Sequence, residues 1–298
     1  MANEKLSDSK HDKSAIVEAK AHQFVRRLGI EPRDFKLYTG MNHGHQEKYV
    51  TARFTDAQVK KWGFLEVLHI TDVQFGHVCC SQTRVKEFND WVLAEPNRFV
   101  VFGGDMIDAA NIFSPGQPWE NVFESQSQVF QFCQIYAPIA HRVLGYVGGN
   151  HERRGLKTFG DIGILLSKLL QIPYSSGQQF VDIHFGKWNP FKVDLWHGKG
   201  AAQTAGAKMN MLHAAMIASD ANLVLVGHLH DAFSKFRWMR NRDANNLKVK
   251  FVKQGGAMSS SFLEYIGSYA EIMNMSMSDC MMACARIEPS GHWQLNLR

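Results

Sequence analysis

The sequence contains few cysteines, no long hydrophobic run and no hydrophobic signal region. The five cysteines are an odd number without C-x-x-C spacing, which argues against a disulfide framework and against a cysteine zinc site. The longest apolar runs, such as residues 223–227, are far shorter than the about 20 residues that span a bilayer. We therefore expect reduced thiols and a cytoplasmic protein without membrane contact.

The sequence also lacks a Walker A loop and a strong excess of one charge. The pattern G-x-x-x-x-G-K-[ST] is absent, so ATP binding of that kind is not predicted. The formal net charge of +5 over 298 residues permits an anionic substrate but is too small to indicate coating by nucleic acid. With 45% hydrophobic and 20% charged residues, the chain has the composition of a large globular domain.

The first part of the chain differs from the rest. After a polar tail, residues 15–28 place apolar side chains at helical spacing, and residues 33–55 show no clear periodicity. We therefore predict an N-terminal extension over residues 1–60, with one helix and an irregular cover, and a larger domain over residues 61–298.

From Leu65 onward, short runs rich in Val, Ile and Leu alternate with longer amphipathic stretches, which indicates an α/β domain. The predicted strands are LEVLHIT, RFVVFGG, RVLGYVGG, FKVDLWHG and NLVLVGHL. The predicted helices cover residues 83–94, 121–136, 158–170 and 206–219. After His230 we predict hairpins from FSKFRWMR, LKVKFVKQ, CMMACARI and HWQLNLR. Because ligands gather at the carboxyl ends of strands in α/β sheets, the five strand ends should meet.

Oxygen and imidazole donors follow these five strands. They are Asp72 and Gln74, Asp105, Asn150 with His151, His197, and His228 with His230. This mixture of donors suits Mn, Fe or Zn. Gly227 favours a sharp turn, after which His228 and His230 can serve two adjacent ions. A single His at a strand end is more often a structural residue, so the prediction of a metal site depends on the joint pattern.

The blocks TDVQFGH, GGDMID, GGNHERR, LWHGKG and GHLHD stand in this order in the sequence. They resemble the calcineurin-like metallophosphoesterase superfamily, whose pattern is D-x-H, G-D, G-N-H-[DE], H and G-H-x-H. The resemblance covers roughly residues 65–232, and GNHE and GHLH are specific when they occur together. It implies an α/β (α+β) fold, a four-layer αββα sandwich of two mixed sheets, to which the N-terminal helical extension is added.

The resemblance also implies a binuclear metal site in which Asp105 is the ligand shared by both ions. The other ligands would be Asp72, Gln74 and His230 in one site and Asn150, His197 and His228 in the other. A bridging carboxylate holds two cations about 3.5 to 4 Å apart, where a hydroxide shared between them can attack phosphorus in line. His151 would protonate or stabilise the leaving oxygen, and Glu152 would orient His151 or a bound water.

One position departs from the family pattern, because Gln74 stands where the family usually has His. A neutral amide oxygen predicts weaker binding of the first metal and a preference for harder ions such as Mn, with Fe, Zn, Ni and Mg as alternatives. His77 follows three residues later. It is a candidate to replace the missing imidazole or to contact the substrate, and simple packing of the loop is the other interpretation.

Basic side chains near these blocks are candidates for contact with a phosphate. Arg153 and Arg154 come directly after the GNHE block, and either could clamp a phosphate or be a solvated loop residue. The segment GKGAAQTAGAK, which contains Lys199, leads into a predicted helix whose first backbone amides could receive a phosphate.

The first hairpin after His230 has two different faces. One face is predicted to carry Phe236, Trp238, Leu247, Val249 and Phe251, and the other Lys235, Arg237, Lys248 and Lys250. We expect the first face to be core and the second, extended by Arg240 and Arg242, to lie near enough the metals to guide a polyanionic chain. A charged sheet edge that stays unpaired is the other interpretation.

The leading functional prediction is a Mn-dependent phosphodiesterase or nuclease that acts on nucleic acid, such as DNA, or on nucleotides. It is similar in layout to the repair exonuclease branch of the superfamily. The first alternative is a phosphomonoesterase for a phosphoprotein or a small metabolite, and the second is a binding scaffold without catalytic activity. The sequence leaves the natural substrate and the oligomeric state open.

Overall fold

The structure of the protein, a computed structural model, describes residues 47–112, 114, 118–157, 160–186, 190–243, 248–272 and 279–298. The predicted polar tail and the helix over residues 15–28 lie outside the described residues. The strands are β1 (Tyr49–Arg53), β2 (Leu65–Ile70), β3 (Arg98–Phe102), β4 (Val143–Tyr146), β5 (Gln178–His184), β6 (Phe191–Trp196), β7 (Leu223–Val226), β8 (Phe233–Asp243), β9 (Lys248–Met258), β10 (Ala283–Ile287) and β11 (Trp293–Leu297). The α-helices are α1 (Asp56–Trp62), α2 (Gln82–Ala94), α3 (Ser125–Tyr136), α4 (Ile162–Leu170), α5 (Ala205–Ile217) and α6 (Tyr269–Ile272).

The strands form two mixed sheets. The larger sheet has the strand order β1-β5-β6-β7-β9-β8, and the smaller has the order β11-β10-β2-β3-β4. β2, β3 and β4 run parallel to one another, and β6 runs parallel to β7. Every residue of β2 and β7 is buried. Their continuous apolar runs are therefore explained by cover on both faces of the sheet.

Helices cover the outer faces of the two sheets. Alternate residues of a strand point to opposite faces, so Val67 meets Val193 and Leu225 of the other sheet, whereas its neighbour Leu68 packs on the other side with side chains from α2, α3 and α4. The larger sheet is covered by α5, whose Leu212 packs with β7 and β9. The predicted four-layer αββα sandwich is confirmed.

Local signals explain where the helices begin and end, as α4 illustrates. The Asp161 carboxylate accepts a hydrogen bond of 2.9 Å from the Gly163 N–H and caps the helix. Gln171 adopts a left-handed conformation with φ 55° and ends it. Leu166 and Leu170, one turn apart, are buried against the smaller sheet. No helix of the described chain is both long and apolar enough to cross a bilayer.

The larger sheet includes two strands, β1 and β5, that the sequence analysis did not predict. Residues 49–53 form β1, which pairs with β5 at the edge of the sheet, where we predicted an irregular cover. α1 follows β1 and starts with a capping box between Thr55 and Gln58. The sheet therefore takes in chain that precedes the predicted boundary at residue 61.

Candidate metal centre

The loops that follow five strands carry the predicted ligands. Asp72 and Gln74 follow β2, Asp105 follows β3, Asn150 follows β4, His197 follows β6, and His228 and His230 follow β7. Oδ2 of Asp105, from the smaller sheet, lies 3.1 Å from Nε2 of His197, from the larger sheet. The strand ends of both sheets therefore meet at one place.

Five of these residues have a left-handed backbone conformation. The angle φ is 52° at Asp72, 46° at Gln74, 53° at Asp105, 74° at His228 and 49° at His230. This conformation costs a non-glycine residue roughly 1–2 kcal/mol, so neighbouring contacts must hold it. The N–H of Asp72 donates to the Gly104 carbonyl and that of Gln74 to the Asp105 carbonyl, each at 2.9 Å. These bonds fasten the loop after β2 to the loop after β3.

One cluster of donor atoms surrounds the Asp105 carboxylate. Nε2 of His197 lies 3.1 Å from Oδ2 of Asp105 and 3.1 Å from Oδ1 of Asn150. One potential ligand atom each of Asp105, His197 and His228 lies within 4.8 Å of the other two. These side chains are close enough to share one cation.

A second cluster joins Asp72, Gln74 and His230. Nε2 of His230 lies 3.2 Å from Oδ1 of Asp72 and 3.3 Å from the amide nitrogen of Gln74. One ring nitrogen cannot both donate to a carboxylate and accept from an amide. A half-turn of the Gln74 amide removes the conflict, and it brings an amide oxygen together with the Asp72 carboxylate and the His230 imidazole. The donor set thus fits a metal ion.

Backbone carbonyls fix the orientation of three histidines. The Gly103 carbonyl accepts from Nδ1 of His197 at 2.7 Å, the Gly200 carbonyl from Nε2 of His228 at 2.7 Å, and the Asp108 carbonyl from Nδ1 of His151 at 2.9 Å. A carbonyl oxygen only accepts, so each of these nitrogens carries a proton. In the neutral ring the other nitrogen then holds the lone pair, which is the arrangement around metal-binding histidines.

The electrostatics of the first cluster also fit a cation. Burial alone would raise the pKa of Asp105, yet His151 and His197 hold it well below its ordinary range. Burial alone would lower the pKa of His197, but Asp105 raises it to about 10. Without a metal the pair is therefore a carboxylate and an imidazolium. A divalent cation that replaced the proton on Nε2 of His197 would still be attracted to the Asp105 carboxylate.

Two mixed sheets with helices outside carry carboxylate, amide and imidazole donors at strand ends from both sheets. The structure thus combines a two-sheet α/β sandwich with a cluster of potential metal ligands at its strand ends. Architecture alone does not assign an activity.

The solved structures to which this chain is similar are distant from it. No protein-family model and no curated protein matches the sequence. The chain is similar to a conserved uncharacterized protein of Streptococcus pneumoniae, described as a predicted phosphoesterase, with 12% identity, a TM-score of 0.34 and coverage of 79% of this chain and 98% of that chain. It is similar to Vps29 of Entamoeba histolytica complexed with zinc, with 13% identity, a TM-score of 0.36 and coverage of 78% and 98%. It is also similar to the NAD nucleotidase of Haemophilus influenzae, with 10% identity, a TM-score of 0.35 and coverage of 78% of this chain and 49% of that chain. At these TM-scores and identities the likeness assigns neither a family nor an activity to this chain.

Glu152 braces two loops of the candidate metal centre. Its Oε2 accepts hydrogen bonds from the N–H groups of Asp105 at 3.0 Å and Gly149 at 2.8 Å, and its Oε1 accepts from the N–H of Met106 at 2.7 Å and the hydroxyl of Tyr146 at 2.9 Å. We had expected Glu152 to orient His151 or a water. Because four protein donors occupy its oxygens, Glu152 is instead a positioning residue for the loops after β3 and β4.

Glu152→Gln should destabilise the protein. The amide nitrogen cannot accept hydrogen bonds, so two buried donors lose their acceptor at about 1–3 kcal/mol each. Urea denaturation should show a loss of roughly 2–6 kcal/mol in the free energy of unfolding. The control is Glu87→Gln, at a side chain that is 54% exposed. Equal midpoints for Glu152→Gln and the wild type would contradict the bracing role.

His151 lies at the border of the two clusters. Its Nε2 is 3.6 Å from Oδ2 of Asp105, 3.4 Å from the amide nitrogen of Gln74 and 2.9 Å from Nη2 of Arg154. Nη1 of Arg154 donates to the Asp108 carbonyl at 2.6 Å. Burial alone would raise the pKa of Asp108, but His151 and Arg154 lower it to about 2. The structure thus brings Arg154 and His151 together beside Asp105.

The other predicted substrate contacts lie elsewhere. Arg153 is exposed and donates to the Ser176 carbonyl. Lys199 is exposed in the loop between β6 and α5. Nδ1 of His77 accepts from the Cys79 N–H at 3.0 Å, and its Nε2 lies 3.9 Å from the Glu120 carboxylate. These contacts favour loop packing over metal ligation for His77.

Two buried polar residues that the sequence analysis missed hold ligand loops in place. The ammonium group of Lys208, buried in α5, donates at 3.0 Å to Asp231, which follows His230. The hydroxyl of Ser261 donates at 3.0 Å to the Asp72 carbonyl. Lysine and serine are mostly exposed in proteins, so neither residue type signals a buried role.

His69 is fully buried in β2, close to the site. The Ser259 hydroxyl accepts from the Ala283 N–H at 2.9 Å, and its oxygen lies 2.8 Å from Nδ1 of His69. Nε2 of His69 has no hydrogen-bond partner in the described part of the chain. Burial lowers the pKa of His69 to about 3.

His69→Asn should make stability less sensitive to acid. Burial holds the pKa of His69 at about 3 in the folded state, below its ordinary value of 6.5. As the pH falls below that ordinary value, the unfolded chain binds the proton first, so the folded state loses about 2 kcal/mol between pH 7 and pH 5. Asn removes this loss, and its amide can still form a hydrogen bond with Ser259. Urea midpoints at both pH values measure it, with the exposed His292→Asn as control; equal pH dependence in His69→Asn and the wild type would contradict the prediction.

Proposed function

We propose that the protein is a metal-dependent phosphoesterase that uses two divalent cations. The observation that carries the proposal is the convergence of Asp105, His197 and His228, whose potential ligand atoms lie within 4.8 Å of one another. The pair of Asp72 and His230, 3.2 Å apart, supplies a second group of donors in the same cleft. Carboxylate and imidazole donors of this kind suit first-row divalent metals.

Asp105 would contact both cations, and the other ligands divide into two sets. The first set is Asp72, Gln74 and His230, and the second is Asn150, His197 and His228. When bound, two divalent ions supply a water of lowered pKa as the nucleophile and neutralise charge on the phosphate. Manganese is favoured because Gln74 offers a neutral oxygen, and Fe, Zn, Ni and Mg are the alternatives.

His151 would serve the leaving group. Its Nδ1–H is bound to the Asp108 carbonyl at 2.9 Å, so Nε2 is the atom that faces Asp105. That nitrogen lies 2.9 Å from Nη2 of Arg154, which can only donate. His151 can therefore donate from Nε2 to the leaving oxygen once Nη2 has moved to the phosphate. Arg154 can place a charge-assisted hydrogen bond on a phosphate oxygen through Nη2 while Nη1 stays on Asp108. Lys199, exposed in the loop between β6 and α5, remains a proposed substrate contact.

Within this class we infer a phosphodiesterase or nuclease for nucleic acid or nucleotides, acting in the cytoplasm. The support is the concentration of positive charge in β8 and β9, which carry Lys235, Arg237, Arg240, Arg242, Lys248, Lys250 and Lys253 against the single acid Asp243. A polyanion would be attracted to such a charge distribution. A phosphomonoesterase and a binding scaffold without catalytic activity are the rival functions.

Two chromogenic esters test the proposed function. The protein is dialysed against EDTA, reloaded with Mn or Zn and incubated with bis-p-nitrophenyl phosphate or p-nitrophenyl phosphate. We expect metal to restore hydrolysis and the diester to be cleaved faster. Faster cleavage of the monoester would favour the phosphomonoesterase. Failure to retain either metal or to hydrolyse either ester would leave the binding scaffold.

Gln74→His should tighten binding of the first metal. An imidazole replaces a neutral amide next to Asp72 and His230, so the affinity for Zn should rise about tenfold or more, and the preference for Mn should fall. Calorimetric titration of the metal-free protein with each ion measures this. Gln82→His, at an exposed position of α2, is the matched control. An unchanged Zn affinity would mean that residue 74 is not a ligand.

A further inference from the structure

The hairpin of β8 and β9 extends beyond the larger sheet. Residues 255–258 of β9 pair with β7. Residues 248–254 pair with β8 and, among the described strands, with no other. Phe233 comes three residues after His230, and β8 runs opposite to β7, so the hairpin leads away from the metal ligands. At about 3.3 Å per residue, Trp238 lies roughly 17 Å along the strand from Phe233. This differs from our expectation that the basic face lies beside the metals.

One face of the hairpin exposes aromatic side chains. Phe236 and Trp238 point to the same side of β8, and the strand register places Val249 and Phe251 on that side of β9. The exposed fraction is 68% at Trp238, 66% at Phe251, 49% at Val249 and 44% at Phe236. We had predicted that this face is core. It is exposed because the core between the sheets ends at Trp293, whose ring lies 5.8 Å from that of Phe236.

Cations lie between the rings on this face. Lys253 stands opposite Trp238, and Arg240 stands opposite Phe251. Nζ of Lys253 lies 4.2 Å from the ring centre of Phe236. Trp238 and Phe251 are therefore diagonal neighbours, with backbone positions about 7–8 Å apart. Two exposed rings at this spacing can contact one extended ligand.

The charge of the hairpin decides which partner fits. Seven cations and one acid make a second copy of the same hairpin an unfavourable partner, because like charges would face each other. Elements that lie on membranes put apolar side chains on one face and cations on the other. This hairpin has cations on both faces: Lys235, Lys248 and Lys250 lie on one face, and Arg240 and Lys253 share the other with the rings. Alternating rings and cations are the pattern of surfaces that stack bases and contact phosphates.

We propose that this face, formed by Phe236, Trp238, Arg240, Val249, Phe251 and Lys253 and called the hairpin platform, binds single-stranded nucleic acid. Bases stack on Trp238 and Phe251, while Arg240 and Lys253 contact the phosphates on either side. The platform is separate from the proposed metal centre. Binding in EDTA therefore tests it independently of any hydrolysis.

Fluorescence anisotropy with a labelled oligo(dT) of about 12 nucleotides tests the hairpin platform. Trp238→Ala/Phe251→Ala should weaken binding at least about tenfold, and Trp238→Phe/Phe251→Tyr should restore most of it because those rings still stack. Arg240→Gln/Lys253→Gln should reduce the slope of log affinity against log salt by about 1.4, which corresponds to two phosphate contacts. Duplex DNA of the same length should bind more weakly than the single strand.

Tyr49→Ala is the matched control, because Tyr49 is 81% exposed on β1 at the opposite edge of the same sheet. It should bind the oligonucleotide like the wild type. Circular dichroism of each variant checks that it is folded. The proposal is overturned if the wild type does not bind at low salt, or if a folded Trp238→Ala/Phe251→Ala binds as well as the wild type. It is also overturned if vesicles containing phosphatidylserine bind through these rings while the oligonucleotide does not.

Discussion

Asp105→Ala should give a folded protein that retains neither cation and turns over at least about 100-fold more slowly than the wild type. Loss of a partner that only orients a ligand already costs about 10–100-fold in metal affinity or activity, and Asp105 is proposed to bind both ions directly. The variant also removes the acceptor for the His151 N–H, at 2.8 Å, so the GNHE turn loses a contact. Metal content after dialysis and hydrolysis of bis-p-nitrophenyl phosphate measure the two effects.

The control for Asp105→Ala is Asp220→Ala, at a side chain that is 84% exposed and paired with Lys192. This variant should keep both metals and full activity. Asp105→Asn provides a second comparison, because the amide keeps an oxygen for the His151 N–H but lacks the negative charge. If Asp105→Asn or Asp105→Ala held two metals and remained fully active, Asp105 would not be the shared ligand.

His151→Ala should keep the metals but lower turnover by about 10²- to 10⁴-fold, the usual range for loss of a general acid. The loss should be largest for esters with a poor leaving group, since p-nitrophenolate departs with little need of a proton. Hydrolysis of phenyl and p-nitrophenyl esters by each protein gives this difference directly. A role limited to packing would slow both esters equally.

His292→Ala is the control for His151→Ala, because His292 is an exposed histidine in the turn before β11. It should hydrolyse both esters at the wild-type rate. Arg154→Lys complements the experiment, since lysine keeps the positive charge but cannot bind Asp108 and a phosphate oxygen at the same time. An unchanged rate in His151→Ala would remove His151 from the mechanism.

The sequence predicted the strands that end in functional blocks, but it did not predict β1 and β5. β2 and β7 consist of continuous apolar runs because both faces are covered, and such runs stand out from their surroundings. The side chains of β1 are exposed or half-buried, so YVTAR carries no such pattern. Burial alternates along β5, where Asp182 stands between Val181 and Ile183, so it has no apolar run either.

The positions of the site residues could be predicted because they belong to motif blocks, but most of their contacts could not. The tautomers of His197 and His228 depend on the carbonyls of Gly103 and Gly200, and every residue type has a carbonyl. Glu152 was misassigned because a carboxylate next to His151 also suits catalysis. Its four hydrogen-bond donors become visible only when the loops after β3 and β4 are brought together.

The left-handed backbone at the proposed ligands has a consequence for the evolution of this fold. Seven non-glycine residues of the described chain have positive φ, and five of them are Asp72, Gln74, Asp105, His228 and His230. Glycine at any of these places would relieve roughly 1 kcal/mol of conformational strain but would remove a proposed ligand. At Asp72 and Asp105 it would also remove a buried acceptor, because their carboxylates accept from the N–H groups of His228 and His151. A buried donor left without an acceptor costs about 1–3 kcal/mol, so stability and the proposed metal binding should both select against glycine at these two positions.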